Sequence, residues 1–184
     1  RPGHGAYLCT DLAAPVIRHR LGTITLETLR YGEPRQIGGV EVSFHPAGHV
    51  PGSAQIRVAR GGEVWVVSGD YKVADDGLST PFEPVSCTHF VTESTFGLPV
   101  FRWPSQDSVA AEINDWWRAC IVAGQTPMLG AYALGKAQRL LRMLDTDIGP
   151  ILTHGAVENT NAVLRAQGID LPETVPVTPD LKPA

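Results

Sequence analysis

The sequence has few of the residues that mark several large classes of protein. Among its 184 residues are only three cysteines, Cys9, Cys87 and Cys120, and no two of them form a Cys-x-x-Cys pair. This scarcity argues against a disulfide framework and a thiolate zinc site, and it favours free thiols in a reducing compartment. No apolar run approaches the roughly 20 residues of a membrane span. We therefore expect a cytoplasmic protein with no membrane partner.

The sequence also has no large excess of charge of either sign. The 15 basic and 19 acidic residues give a net charge of −4, which argues against a general basic coat for nucleic acid but leaves room for a local basic groove. A charged content of 18% and a hydrophobic content of 43% are typical of a folded globular chain. A chain of this length forms one large domain or two small ones.

Residues 40–70 predict three strands joined by short loops. Residues 40–44 alternate between apolar and polar side chains, which is the period of a half-buried strand. Residues 54–60 alternate in the same way, and a Gly-Gly turn leads into a third strand at residues 63–68. His49 lies in the loop after the first strand and Asp70 at the end of the third. Such a hairpin is expected to bring them together.

An imidazole and a carboxylate are groups that zinc takes from a protein. His49 stands among small residues and glycines, which let a backbone pass close to a bulky neighbour. A lone histidine in a loop, or an aspartate after Ser-Gly, is also typical of an ordinary polar loop or turn. The residue types alone therefore leave both interpretations open.

Four motifs in order resemble the metallo-β-lactamase superfamily, and more narrowly its β-CASP nucleases. They are AGHVPGSA at 47–54, SGDY at 68–71, TESTFG at 92–97 and YALGKAQ at 132–138. Two further segments, LPVFRWP at 98–104 and THGAVE at 153–158, are most similar to bacterial ligase-associated DNA exonucleases. The resemblance covers nearly the whole chain.

The resemblance implies an α/β fold in two parts. Residues 1–98 are expected to form a partial metallo-β-lactamase αββα sandwich, and residues 99–184 part of an inserted β-CASP α/β domain. In the family, the active site lies in the cleft between these domains. The superfamily's main metal motif, His-x-His-x-Asp-His, is absent from the sequence. We therefore expect an internal fragment of a longer enzyme, inactive by itself.

The resemblance also assigns roles to residues of the motifs. It implies that His49 binds one zinc ion and that Asp70 bridges two, so that the ions clamp the scissile phosphate and activate a water. Asp70 and Glu93 are the expected catalytic residues, with Glu93 holding a histidine that lies beyond this sequence. Ser94 and Thr95, in the same motif as Glu93, are expected to bind substrate.

The YALGKAQ segment predicts a loop followed by a helix, with Lys136 in the first turn. Free backbone N–H groups at a helix N-terminus favour a phosphate, to which the lysine adds charge. Tyr132 in the preceding loop is expected to stack on a base. A solvated lysine and a packing tyrosine are the alternative, and the sequence leaves the two equally open.

Secondary structure is expected to alternate in the second half of the chain, which favours a parallel sheet. In the first half, a strand at 6–9 is expected to lead to a helix capped by Thr10, with Pro15 as a possible start or kink. The later predictions are a helix to residue 123 capped by Ser105, a strand at 127–130, a helix at 134–144, a strand at 150–153, a helix at 156–167, and no helix after residue 171.

The function that the resemblance implies is a metal-dependent phosphodiester hydrolase. Its expected form is a zinc-dependent DNA exonuclease that acts at DNA ends in repair, with an ATP-dependent DNA ligase as a candidate partner. Two alternatives remain open: a β-CASP ribonuclease for RNA processing, and a non-catalytic remnant that binds nucleic acid or a partner protein.

Overall fold

The computed structural model describes residues 2–180; Arg1 and residues 181–184, at the outer ends of the two predicted domain ranges, lie outside the described part. The chain divides into two compact units, residues 1–97 and 98–184. Both units mix helices and strands, which confirms the α/β class expected from the sequence. The assignment of the units to two named domains stays a prediction.

Strands dominate the first unit. Its elements are β1 (Tyr7–Thr10), α1 (Ala14–Leu21), β2 (Leu26–Leu29), β3 (Arg35–Ile37), β4 (Val40–Pro46), β5 (Ala54–Arg60), β6 (Glu63–Val67) and β7 (His89–Val91). The last five form one sheet in the order β3-β4-β5-β6-β7, antiparallel except for the parallel β6–β7 pair. A second, two-stranded parallel sheet joins β1 to β2.

The three strands predicted from residues 40–68 are confirmed as β4, β5 and β6. The turn between β5 and β6 contains Gly61 at φ +59° and Gly62 at φ +88°. A two-residue hairpin turn of this kind needs positive φ at both positions, which glycine adopts without steric cost. Alternation and turn chemistry therefore indicate the same structure here.

The first helix begins later than predicted. Ala14 is its first residue, Ala13 is at the N-cap and Pro15 is in the first turn. A proline is tolerated there because the N–H groups of the first turn have no partner within the helix. Thr10, the predicted cap, precedes a turn at residues 11–13. Its hydroxyl accepts a hydrogen bond from the N–H of Ala13 (3.1 Å), as a cap does, and donates one to the carbonyl of Gly52 (2.7 Å).

Residues 98–180 of the second unit contain three helices and a short sheet. Its elements are α2 (Gln106–Val122), α3 (Lys136–Met143), β8 (Leu152–Thr153), α4 (Gly155–Ala166) and β9 (Val175–Pro176), with β8 and β9 parallel. Trp117, Leu141 and Ile151 form its buried core. Ser105 caps α2 as predicted, accepting a hydrogen bond from the N–H of Ser108. Within residues 2–180, no helix has the length and apolarity needed to cross a bilayer.

Two strand predictions in this unit need correction. Residues 127–130 were expected to form a strand but have no strand assignment, and Met128 and Leu129 are exposed. A strand that the sequence did not indicate, β9, pairs with β8 through the N–H of Val175 and the carbonyl of Ile151 (2.9 Å). A strand requires a hydrogen-bonding partner. Apolar residues alone therefore predicted a strand at 127–130 where none forms and gave no sign of β9.

A polar cluster joins α4 to β8 and β9. Glu158 accepts hydrogen bonds from the hydroxyl groups of Thr153 and Thr174, and it forms an ion pair with Arg165 at 2.9 Å. Arg165 also donates to the carbonyl of Pro172 at 2.6 Å. Burial raises the pKa of Glu158, but the two hydroxyl groups and Arg165 outweigh burial and hold the pKa below its usual value. The carboxylate therefore links three elements while staying ionised.

Candidate metal centre and nucleic-acid contacts

The loops that follow β4 and β6 bring His49 and Asp70 together. Both strands pair antiparallel with β5, so they run in the same direction and end at the same edge of the sheet. His49 Nε2 lies 3.9 Å from Asp70 Oδ2, and the side chains are 45% and 76% exposed. The pair is therefore open to solvent and to dissolved ions.

Ser53 closes the loop that carries His49. Its hydroxyl group accepts hydrogen bonds from the N–H groups of His49 (3.1 Å) and Val50 (3.2 Å). Its carbonyl accepts hydrogen bonds from the N–H of Ala47 (3.2 Å) and the hydroxyl of Tyr31 (2.8 Å). These bonds hold the backbone of His49 in place and leave its ring exposed.

The loop after β6 lies directly against the His49 loop. The N–H of Lys72 donates a hydrogen bond to the carbonyl of Ala47 at 2.9 Å. Gly48 has φ +70°, and a Cβ at this position would lie 2.2 Å from the carbonyl oxygen of Lys72 and 3.1 Å from the nitrogen of Phe82. Glycine is the residue that meets both the conformation and the space at position 48.

His49 and Asp70 supply one nitrogen and one oxygen donor of the kind that zinc accepts. With bonds of about 2.0–2.1 Å, a single tetrahedral zinc needs its two donors about 3.3 Å apart. The observed 3.9 Å is close enough that a small rotation of either exposed side chain reaches this value. Among residues 2–180, no group of three or more His, Cys, Asp or Glu side chains could hold a metal ion. The residues therefore fit part of a zinc site.

Glu93 lies in the short loop after β7. The N–H of Thr95 donates to Glu93 Oε2 at 2.7 Å. Hydrogen bonds from the backbone and the side chain of Thr95 lower the pKa of Glu93, and the field of His49 adds a smaller lowering. Ser94 accepts a hydrogen bond from the N–H of Gly97, and both Ser94 and Thr95 are exposed. An ionised carboxylate thus stands within the electrostatic reach of His49.

Two other histidines already have partners. His45 lies 3.1 Å from both Ser43 Oγ and Glu83 Oε1, through its two ring nitrogens. His154 is the N-cap of α4 and accepts a hydrogen bond from the N–H of Ala156. The sequence placed neither histidine in the metal site, and their contacts give each a structural role.

In the second unit, Lys136 is the first residue of α3 and is exposed. Its Nζ lies 5.5 Å from the ring centroid of Tyr132, which is 78% exposed. The preceding loop is held by the buried Gln138, which accepts from the N–H of Gly135 (2.7 Å) and donates to Asn161 (2.9 Å). The sequence does carry a signal for Gln138, since it stands at the capping-box position of the helix, but the role of this residue was not predicted.

No protein-family model matches the chain, but several curated proteins do. A "Probable DNA ligase" of Opitutus terrae is 30% identical over 172 residues, which are 92% of this chain and 17% of that protein. An "RNase J-like protein" of Methanocaldococcus jannaschii is 28% identical over 160 residues, 80% of this chain and 37% of that protein. "RNase aCSPSF2" of Saccharolobus solfataricus is 31% identical over 117 residues, 62% of this chain and 23% of that protein.

The chain therefore spans at most 37% of the length of these three relatives. Two of them are named as ribonucleases and one as a probable DNA ligase. Their names agree on proteins that act on nucleic acid and differ on whether it is DNA or RNA.

Proposed function

Because this chain belongs to the β-CASP branch of the metallo-β-lactamase superfamily, we propose that it is part of a metal-dependent phosphodiester hydrolase that acts on nucleic acid. The observation that carries the proposal is the 3.9 Å approach of His49 and Asp70, at the positions where the motifs imply metal ligands. Two zinc ions are the proposed cofactors, and the remaining ligands would come from elsewhere in the whole protein.

The proposed roles follow from the position of each side chain. Zinc, when bound, supplies positive charge for the scissile phosphate and lowers the pKa of a bound water to about 7. His49 would contribute a ring nitrogen and Asp70 a negatively charged carboxylate to hold the metal. Glu93, kept ionised by Thr95, is proposed to orient a histidine from another part of the protein.

DNA is the proposed substrate, and RNA is the alternative. The segments at 98–104 and 153–158 support DNA, because they resemble ligase-associated exonucleases, and so does the relative named as a probable DNA ligase. The relatives named as ribonucleases support RNA. Exonucleolytic action at DNA ends, a role in repair beside an ATP-dependent ligase, and a cytoplasmic location belong to the same proposal.

Metal removal from the full-length protein tests this proposal. Linear DNA, RNA of the same sequence, and a covalently closed DNA circle are incubated with protein that has been treated with a chelator and then supplied with Zn²⁺. We expect no cleavage without metal, and with Zn²⁺ the release of nucleotides from linear DNA while the circle stays intact.

The other outcomes are equally informative. Cleavage that survives the chelator would contradict a metal-dependent reaction. Cleavage of RNA alone would favour the ribonuclease alternative, and cleavage of the circle would exclude a purely exonucleolytic mode. A zinc-loaded protein that cleaves neither polymer would overturn the hydrolase proposal.

The Lys136→Ala variant tests whether the start of α3 contacts the phosphate backbone. If it does, DNA binding should weaken for all sequences alike. The slope of log affinity against log salt should become shallower by about 0.7–0.9, which is the share of one released counterion. Titrations of labelled DNA at several salt concentrations measure both quantities.

The matched control is Arg142→Ala, which removes an exposed cation from the last turn of the same helix. We expect Arg142→Ala to leave the salt slope unchanged. An unchanged DNA affinity in Lys136→Ala would show that the lysine is a solvated side chain that does not contact the phosphate backbone. Equal losses in both variants would indicate a general effect of charge with no contact at the helix start.

A further inference from the structure

An ion pair lies in the loop that follows Asp70. The ammonium group of Lys72 is 3.2 Å from Asp76 Oδ2, and the two side chains are only 20% and 3% exposed. Asp76 Oδ1 accepts hydrogen bonds from the N–H groups of Leu78 (3.1 Å) and Ser79 (2.9 Å). The turn thus holds Oδ1 through two backbone N–H groups, and Oδ2 faces the Lys72 ammonium group, which pairs with it by charge and without a hydrogen bond.

The carboxylate of Asp76 stays ionised in this position. Burial raises its pKa, but the hydrogen bonds from Ser79 and Leu78 and the charge of Lys72 outweigh burial and lower the pKa below its usual value. A buried charge whose partner is removed is costly. Loss of the Lys72 charge would therefore leave the Asp76 carboxylate buried without its ion-pair partner.

The backbone of the same Lys72 contacts the other loop. Its N–H donates to the carbonyl of Ala47, and its carbonyl oxygen occupies the space where a Cβ on Gly48 would lie. Lys72 thus links the two loops. Its side chain is anchored within the Asp70 loop, and its backbone lies on the His49 loop.

The separation of His49 and Asp70 is tied to this link through the backbone. His49 is 45% exposed and Asp70 is 76% exposed, so both side chains have room to rotate. The positions of the two backbones then set the range of distances that the side chains can reach. Asp70 is two residues from Lys72, and His49 is two residues from Ala47, the acceptor of the Lys72 N–H. A shift of one loop therefore changes the distance between the two donors.

We infer that the Lys72–Asp76 ion pair is a positioning element that sets the distance between His49 and Asp70, and thereby the affinity of this pair for zinc. The inference rests on the proposed function for its metal, whereas the link between the loops stands on geometry alone. Lys72 and Asp76 act through the backbone and are not themselves ligands. Sequence reasoning missed them, because a four-residue spacing outside a helix does not predict a contact.

Two substitutions in the full-length protein test the inference. Lys72→Met keeps the length of the apolar stem and removes the ammonium group, whereas Lys72→Arg keeps the charge. The first measurement is hydrogen exchange of the backbone N–H of residue 72 in zinc-free protein. We expect exchange to accelerate by about tenfold or more in Lys72→Met, as for a locally opened hydrogen bond, and to stay near wild type in Lys72→Arg.

The second measurement is the dissociation constant for Zn²⁺, obtained by competition with a chromogenic chelator well below the unfolding temperature. In Lys72→Met we expect zinc to bind about 10- to 100-fold more weakly, the usual range for residues that orient a metal ligand. Lys72→Arg should restore most of the affinity. A purely structural ion pair would lower the melting temperature without changing the zinc affinity of the folded protein.

The matched control is Arg57→Met. Arg57 forms an ion pair with Glu41 at 2.8 Å between β5 and β4, so its loss also removes an ion pair from the first unit. We expect Arg57→Met to lower the melting temperature and to leave both the zinc affinity and the exchange at residue 72 unchanged. Equal losses of zinc affinity in Arg57→Met and Lys72→Met would overturn the inference.

The outcomes separate this inference from the proposed function. A wild-type protein that binds zinc, beside a Lys72→Met variant that binds it within about twofold, would overturn the inference alone. A wild-type protein that binds no zinc would overturn the proposed function and the zinc part of the inference. Hydrogen exchange at residue 72 would then still decide whether the ion pair links the two loops.

Discussion

Asp70→Asn in the full-length protein should lower the rate of nucleic-acid hydrolysis by about 100-fold or more. The asparagine has the shape of the aspartate but lacks the negative charge that the proposed zinc site requires. Because the Asp70 side chain is largely exposed, the fold should be unaffected. Initial rates at saturating Zn²⁺ give the effect on activity, and a thermal melt followed by circular dichroism gives the effect on stability.

Asp75→Asn is the matched control for this variant. Asp75 lies in the same loop and is exposed, and its Oδ1 accepts a hydrogen bond from the N–H of Gly77 that an asparagine also accepts. We expect Asp75→Asn to retain wild-type activity. An Asp70→Asn protein with activity within about threefold of wild type would show that Asp70 is only a turn residue.

Gly48→Ala should be the most destabilising single-methyl substitution that we predict. An alanine in the left-handed backbone conformation of position 48 costs about 1–2 kcal/mol. Its Cβ would also lie 2.2 Å from the Lys72 carbonyl oxygen. Forcing that contact apart adds about 1–3 kcal/mol. The free energy of unfolding should therefore fall by about 2–5 kcal/mol, as measured by urea titration.

Gly61→Ala separates the two contributions. Gly61 also has positive φ, at +59°, but nothing lies within 4 Å of a Cβ built there. Its alanine variant should lose only the backbone contribution, about 1–2 kcal/mol. An equal loss of unfolding free energy in the two variants would show that the His49 loop moves away from Lys72 at little cost when a Cβ is added at position 48.

The sequence predicted the strands around the candidate site well because several local signals agree there. Alternation located β4 and β5, and Gly61-Gly62 marked the turn that leads into β6. Two antiparallel pairings then place His49 and Asp70 at one edge of the sheet. Their approach was therefore predictable from topology. Their identity as metal ligands comes from the motifs and stays a proposal.

The sequence was a poor guide where long-range partners decide the structure. Residues 127–130 are apolar enough for a strand but have no strand assignment, whereas β9 exists because β8 lies beside it. The start of α1 was misplaced because residues 11–13 form a turn before the helix, and the Thr10 hydroxyl joins this turn to Gly52, 42 residues away. The Lys72–Asp76 ion pair was missed for a related reason, since it depends on the path of an irregular loop.

The arrangement of β4, β5 and β6 also bears on how the candidate site assembles as the chain folds. His49 and Asp70 are only 21 positions apart (70 − 49), and two successive antiparallel pairings connect them. The entropy lost in closing a loop rises slowly with its length, and contacts between near neighbours form fastest. The parallel β6–β7 pairing requires a crossover between residues 67 and 89. The donor pair can therefore meet before the strand that leads to Glu93 is in place.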